Sequence, residues 1–213
     1  MFYLKNYDFI HSTHLDVLRE IGNIGAGHAA TSLSALLGKT IEMSIPEAKV
    51  IPFEELPERM GGTENEIAAI YAQIHGDTPG SVYFFSDVSE SITLIQQLTG
   101  ISEDSKDQSQ EYGHSAFLEA GNIVIGSYLS AFADLTGLKV SRGVPDLSID
   151  MAGAIISHGL SRLLIQSDVA IFIDTHMKID GEETTRNFGS ILLLFDPDSF
   201  EILFKSLGVK IDE

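Results

Sequence analysis

The sequence predicts an α+β fold in which long helices cover a mainly antiparallel sheet, with two similar halves related by a pseudo-twofold axis. Apolar residues recur at helical spacing at the start of each half, and strand-like apolar segments follow. Short turns rich in glycine, aspartate and proline join these segments, and such hairpins make a sheet antiparallel. With 213 residues, 44% of them hydrophobic, the chain can bury the core that this fold requires.

An internal repeat supports the prediction of two related halves. Residues 16–23 align with residues 115–122, with glutamate, glycine and asparagine at matching places. The alignment continues without a gap to a proline in each half, Pro46 and Pro145. Two copies of a unit this long indicate a pseudo-symmetric domain rather than a solenoid.

A second matching block lies later in each half. Residues 80–85 align with residues 189–194, and a turn and an amphipathic stretch follow each copy. The polar segment 103–110 between the halves has the composition of a linker. We therefore expect the whole chain to be a single domain built from two repeats, about 8–103 and about 110–210.

In the first half, apolar spacing predicts a helix over residues 8–37, and Gly38 is expected to cap its C-terminus. An extended segment follows at residues 40–51, where Pro46 indicates a sheet edge or a bend. The acidic segment 54–58 is interpreted as a solvated loop. Two strands and a helix complete this half, at residues 67–74, 81–85 and 88–98.

The second half is expected to repeat this order, with Gly137 as the cap of its long helix. Three apolar segments are predicted as strands, at residues 154–164, 170–178 and 190–195. Both halves then contribute strands to the sheet that the long helices cover.

The composition excludes several classes of function. The chain has 31 acidic and 13 basic residues, a formal net charge of −18. This charge repels polyphosphate backbones and anionic lipids, so we expect neither nucleic-acid nor membrane binding. Cysteine is absent, which excludes disulfides, thiolate nucleophiles and cysteine-bound zinc. The N-terminus lacks a signal-peptide layout and no apolar stretch approaches ~20 residues, so a soluble cytoplasmic protein is expected.

A polar stripe recurs on the long helix of each half. Offsets of three and four positions share one helix face, and the first stripe consists of Asp16, Glu20, Asn23 and Gly27. The second has the same spacing: Ser115, Glu119, Asn122 and Gly126. Apolar positions lie mostly elsewhere on the helix, so both stripes are expected to face solvent. The glycines Gly22, Gly25 and Gly27 indicate either a bare docking surface or close helix packing.

A glutamate and an asparagine three positions apart suit one kind of chemistry. They form no nucleophile–base pair, and they are too few to hold a metal. The asparagine amide offers two donors and an acceptor, so it can hold a water in line with a phosphorus atom, as a glutamine does in GTPases. The glutamate can pair with a lysine of a partner and fix its orientation.

The spacing of these residues resembles the signature of the CheC/CheX/FliY phosphatases of bacterial chemotaxis. In the first half it is Asp-x3-Glu-x2-Asn-x22-Pro, from Asp16 to Pro46, and in the second half Ser115 replaces the aspartate and Pro145 ends the motif. The resemblance covers most of the chain, because both helices, both prolines and both trailing strand–helix blocks fit it. It implies a CheC-like α+β fold with the motifs on the long helices.

The resemblance also implies an activity, namely hydrolysis of the phosphoaspartate of the response regulator CheY. By the resemblance, Glu20 and Glu119 pair with a lysine of the regulator, and Asn23 and Asn122 position the attacking water. Four neighbours complete the partner-binding faces: Asp16, Gly27, Ser115 and Gly126. The Mg²⁺ belongs to the regulator, so no cofactor or metal of the chain's own is expected. Similar proteins also bind CheD, a receptor-modifying deamidase.

Three alternative interpretations fit the residues less well. A non-catalytic adaptor that sequesters phosphorylated CheY or CheD is the alternative function, but a pure binder needs no asparagine in both copies. The run 22–28 lacks the Lys-Ser/Thr ending of a phosphate-binding loop, so helix packing explains its glycines better. His11 and His14 could bind zinc with Glu20 or Asp16, but the ligand set is incomplete.

Overall fold

The computed structural model describes residues 12–99, 109–159, 169–180, 186–195 and 197–208. The helices within these ranges are α1 (Ser12–Leu37), α2 (Leu56–Arg59), α3 (Val88–Thr99), α4 (Ser109–Thr136), α5 (Ala152–Gly159) and α6 (Pro197–Ser206), and a 3₁₀ turn precedes α2 at Phe53–Glu55. The strands are β1 (Ile41–Ser44), β2 (Ala48–Pro52), β3 (Glu66–Gly76), β4 (Gly80–Asp87), β5 (Val140–Arg142), β6 (Asp146–Met151), β7 (Val169–Ile179) and β8 (Arg186–Phe195).

The described strands form one eight-stranded sheet in the order β1-β7-β8-β4-β3-β5, with antiparallel pairing throughout. Strand β2 also pairs with β7, and β6 also pairs with β3. The first two strands of each half therefore pair with a strand of the other half. Strands β4 and β8 pair at the centre, where Phe84 lies opposite Ile191, and the two halves are related about this pair. The predicted α+β class and antiparallel sheet are confirmed.

Both faces of the sheet are covered. On one face, α1 and α4 contribute buried side chains such as Leu33 and Phe132, which pack with Ile70 of β3. On the other face, the 3₁₀ turn, α2 and α5 cover a smaller core. Successive residues of β4 alternate between the two cores, with Phe84 in the first and Phe85 in the second. The motif-bearing helices therefore lie together on one side of the sheet.

Two predictions of local structure differ from the fold. Residues 154–159 were predicted as a strand but belong to α5, and residues 160–164 of that prediction lie outside the described residues. A short apolar run fits a buried helix as well as a strand, and here α5 packs Ala152 into the second core. Residues 54–58 were interpreted as a solvated loop. Their glutamates are exposed as expected, but the segment forms the 3₁₀ turn and α2 rather than a loop, and Leu56 is fully buried.

The two long helices end at the predicted glycines. Gly38 has a φ of +64°, and its N–H donates a hydrogen bond of 2.9 Å to the carbonyl oxygen of Ser34. Gly137 has a φ of +69°, and its N–H donates a 2.8 Å bond to the carbonyl oxygen of Ala133. Left-handed backbone of this kind favours glycine, so both caps are confirmed. Residues 8–11 of the predicted first helix lie outside the described residues.

The apolar segment of helix α4 is longer than expected from the sequence. Its residues Gly113–Thr136 are long and apolar enough to cross a membrane by length and composition alone. However, 56% of the 18-residue apolar window within this segment is buried inside the protein. Core packing therefore accounts for its apolar character. The helix begins at Ser109, within the predicted linker, and linker residues 103–108 lie outside the described residues.

Helices α1 and α4 pack directly against each other, and they approach closely at Gly25. A Cβ added to Gly25 would lie 3.0 Å from the Cα of Tyr128, a separation at which the helix backbones would have to move apart. The Tyr128 hydroxyl lies 3.3 Å from Oγ1 of Thr175 on β7, and burial raises the pKa of Tyr128. Helix α4 is therefore hydrogen-bonded to strand β7 at the place where it packs against α1.

The close crossing predicts that two neighbouring glycines respond in opposite ways to the same substitution. Alanine gains about 1 kcal/mol of helix propensity over glycine at either position. Gly27 is exposed, and a Cβ there would meet none of the described atoms within 4 Å. Gly27→Ala should therefore raise the free energy of unfolding. At Gly25, overpacking costs about 1–3 kcal/mol and offsets the propensity gain, so Gly25→Ala should lower the free energy of unfolding by up to about 2 kcal/mol.

Urea denaturation of the two variants beside wild type measures both changes, and Gly27→Ala is the matched control. Equal stabilisation by the two substitutions would show that the crossing can widen at no cost.

Candidate functional site

The first predicted stripe lies on the solvent side of α1. Its four members are all exposed: Asp16, Glu20, Asn23 and Gly27. The intervening residues Leu18 and Ile21 are buried and face the sheet. The helical period therefore separates the two faces as predicted, and a partner can reach the Glu20 and Asn23 side chains without any rearrangement.

The second stripe is less open than the first. Ser115 and Glu119 are exposed on α4, but Asn122 and Gly126 are half-buried. The guanidinium of Arg142, on β5, donates a hydrogen bond through Nη1 to Oδ1 of Asn122. The second asparagine thus has a protein partner that the helix spacing did not predict.

An open cleft beside the second stripe separates part of α1 from α4. It has a volume of about 460 Å³ and borders both helices and β5. Polar and charged residues line it, among them His28, Ser32, Glu119, Asn122 and Arg142. Three of these side chains were not among the predicted site residues: His28, Ser32 and Arg142. The second motif therefore opens onto a concave surface that includes a permanent positive charge.

The glycines near the first motif have two different roles. A Cβ at Gly22 would lie 3.4 Å from the Ile45 side chain, and Gly25 faces Tyr128, so both serve internal packing. Only Gly27 of this group leaves open surface beside the motif. In the second half, a Cβ at Gly126 would lie 3.4 Å from Nε of Arg142. The docking interpretation therefore applies to Gly27, and the packing interpretation applies to Gly22 and Gly25.

The histidines that were considered as zinc ligands do not form a metal site within the described residues. His14 is buried, with its ring in edge-to-face contact with Phe204 at a centroid distance of 4.5 Å. Asp16 is exposed on the solvent side of the same helix, and His11 lies outside the described residues. Among the described residues, no group of three or more His, Asp or Glu side chains is close enough to hold a metal ion.

Comparison with known proteins agrees with the repeat and with the motif spacing. The CheC-like family model matches residues 14–50 and 113–149, so the second match follows the first by 99 residues. The CheY-P phosphatase CheC of Bacillus subtilis (strain 168) is 39% identical over 207 residues, which cover 96% of this chain and 99% of that protein. The chain belongs to the CheC-like family. Both family matches contain a complete Glu-x-x-Asn motif.

Two solved structures superpose on the fold of this chain. Thermotoga maritima FliY superposes with a TM-score of 0.71 at 17% identity, covering 93% of this chain and 98% of that one. The FliM middle domain from H. pylori superposes with a TM-score of 0.61 at 10% identity, covering 92% and 99%. These likenesses confirm the predicted CheC-like fold, but at such identities they concern the fold alone.

The two asparagines should differ in their contribution to stability. Asn23 is exposed, so Asn23→Ala should change the free energy of unfolding by no more than about 0.5 kcal/mol. Asn122→Ala removes the acceptor of the Arg142 guanidinium, and a hydrogen bond to a charged group contributes about 1.5–3 kcal/mol when well formed. Because both groups are only half-buried, we expect a loss near the lower end of that range.

Chemical denaturation of the two single variants tests this difference, and circular dichroism checks that both retain native helix content. Equal stability of the two variants would contradict the Asn122–Arg142 contact.

Proposed function

We propose that this chain hydrolyses the aspartyl-phosphate of the chemotaxis response regulator CheY, and is therefore a protein-aspartyl-phosphate phosphatase. The observation that carries the proposal is the pair of Glu-x-x-Asn motifs at equivalent places on α1 and α4, with Glu20, Asn23 and Glu119 exposed. The Bacillus subtilis relative, aligned over 96% of this chain, is named a CheY-P phosphatase. Family membership and the accessibility of the motif residues support the same activity.

In this proposal the asparagine orients the attacking water. The amide of Asn23 or Asn122 enters the active site of the regulator and holds a water in line with the phosphorus atom. The water oxygen bonds to phosphorus, the bond between phosphorus and the aspartate oxygen breaks so that the aspartate leaves as a carboxylate, and both water hydrogens end on the released phosphate. Because an acyl phosphate is already reactive, orientation of the water suffices as the contribution of the enzyme.

The glutamates orient the regulator. Glu20 and Glu119 are exposed on their helices, where each carboxylate can pair with a lysine of the partner. Such a contact matters on a chain with a net charge of −18, because local pairing with a lysine offsets the general repulsion of an acidic partner. Four neighbouring residues extend the proposed partner-binding faces: Asp16, Gly27, Ser115 and Gly126.

Several further parts of the proposal rest on the family resemblance and on composition. The chain supplies no cofactor of its own, and the Mg²⁺ used in aspartyl-phosphate chemistry is held by the regulator. The receptor deamidase CheD is a second partner. The protein acts in the cytoplasm as one domain made of the repeats 8–103 and 110–210.

A second candidate function is that of a non-catalytic adaptor for phosphorylated CheY or CheD. The contact between Arg142 and the amide oxygen of Asn122 favours it at the second motif only, because an engaged oxygen has one position fewer for a water and the amide N–H groups remain as the free donors. An adaptor of this kind would sequester the regulator and leave the phosphate in place.

The phosphatase proposal predicts the effect of removing both asparagines. Phosphate release from phosphorylated CheY is measured with wild type, Asn23→Ala, Asn122→Ala and the double variant. The double variant should lose at least about 100-fold of the rate, because a misplaced reacting group alone can cost that much. Each single variant should retain the turnover of its intact motif.

Glu55→Gln is the matched control, since it removes an exposed acid on the 3₁₀ turn, which covers the face of the sheet opposite to both motifs. A double variant with full activity would exclude the catalytic assignment. An adaptor would instead slow phosphate loss only in proportion to the fraction of CheY that it binds.

A further inference from the structure

One difference between the two halves lies beside the motif and concerns a charged residue. The family matches are 99 residues apart, and this spacing relates Arg142 to Met43. Each of the two residues lies three positions before the proline of its half. Arginine carries five donors and a permanent charge, whereas a methionine thioether has no hydrogen to donate. The duplicated site therefore has one copy with a guanidinium at this position and one copy without.

The guanidinium fits between two members of the second stripe. Arg142 lies opposite Ile74 in the pairing of β5 with β3, and from there its side chain reaches α4. It donates to Oδ1 of Asn122, and its Nε would lie 3.4 Å from a Cβ at Gly126. A Cβ at Gly126 would be in ordinary van der Waals contact with the guanidinium, so Arg142 packs over this glycine. The equivalent glycine, Gly27, has no described atom within 4 Å of such a Cβ.

This contact determines which way the Asn122 amide points. A guanidinium has donors only, so the amide atom that faces it must be the oxygen. The amide nitrogen, with its two donors, is then directed away from the guanidinium. A hydrogen bond to the oxygen also polarises the amide and strengthens its N–H groups as donors.

We propose that Arg142 is a positioning residue of the second motif, which holds the Asn122 amide in a single orientation before the partner arrives. The proposal rests on the phosphatase function proposed above. Asn122 then loses little side-chain entropy on entering the active site of the regulator, whereas Asn23, with Met43 at the equivalent position, is ordered only when the partner binds. The two motifs are therefore chemically unequal, although both contain the same glutamate and asparagine.

Side-chain amide dynamics test the positioning directly and without turnover. Nitrogen-15 relaxation of the Asn NH₂ groups is measured in the free protein, with assignments taken from Asn23→Ala and Asn122→Ala. Asn122 should be ordered and Asn23 mobile. Arg142→Met, which installs the residue of the first half, should make Asn122 as mobile as Asn23, and Arg142→Lys should restore part of its order. Equal mobility of both amides in wild type would overturn the proposal.

Kinetics then show whether the orientation matters for hydrolysis. In an Asn23→Ala background only the second motif can act, and Arg142→Met should there lower kcat for phosphorylated CheY about tenfold, with KM within about twofold, because lost alignment affects the reacting geometry. Arg142→Lys should recover most of kcat, since a donor to the amide oxygen is regained. Lys205→Met, an equal loss of charge on α6, is the control.

The possible outcomes separate this proposal from the one on which it rests. A raised KM at unchanged kcat would overturn positioning and assign Arg142 to docking of the regulator. An unchanged kcat and KM would overturn it as well. If the Asn23→Ala protein and wild type both fail to release phosphate while Arg142→Met still loosens the Asn122 amide, the phosphatase function fails and the positioning contact stands.

Discussion

The first two strands of each half hydrogen-bond to a strand of the other half: β1 and β2 to β7, and β5 and β6 to β3. This exchange determines where the remaining elements can lie. Because α1 leads into β1 and α4 leads into β5, the two long helices must cross over the sheet to reach the opposite edges. They meet at Gly25 and Tyr128, and both motifs are presented on the same layer as a result. The symmetry of the site follows from the pairing of the strands.

The sequence could predict what depends on local order. The helical period separates Leu18 and Ile21 from the exposed stripe, and a left-handed glycine ends each long helix. It could not predict the helical state of residues 154–159, or the burial of Leu56. Both belong to the second face of the sheet, and only the assembled sheet shows that this face also needs a cover. A short apolar segment fits several kinds of cover equally well.

The candidate site likewise contains residues that the sequence could predict and a residue that only the assembled fold reveals. Glu20 and Asn23 were identifiable because they recur at matching places in the second half, and similarity between repeats marks shared chemistry. Arg142 escaped that search because it is a difference between the repeats, and its contact joins β5 to a residue 20 positions earlier on the preceding helix. A comparison of the halves for unlike residues near the motif, such as Met43 against Arg142, is the signal that could have found it. Duplicated sites therefore need to be compared both for the residues that the copies share and for the residues in which they differ.

The exchange of strands also has a consequence for how the chain is made. Ile41 pairs with Ile179, so β1 has no described neighbour in the sheet until nearly the whole polypeptide has left the ribosome. The first half emerges with an apolar helix face and strand edges that cannot yet be covered. Contacts between such distant segments form late and slowly, and uncovered edges of this kind favour aggregation. Synthesis of this protein should therefore depend on protection of its nascent first half, a requirement that an architecture of two independent halves would not impose.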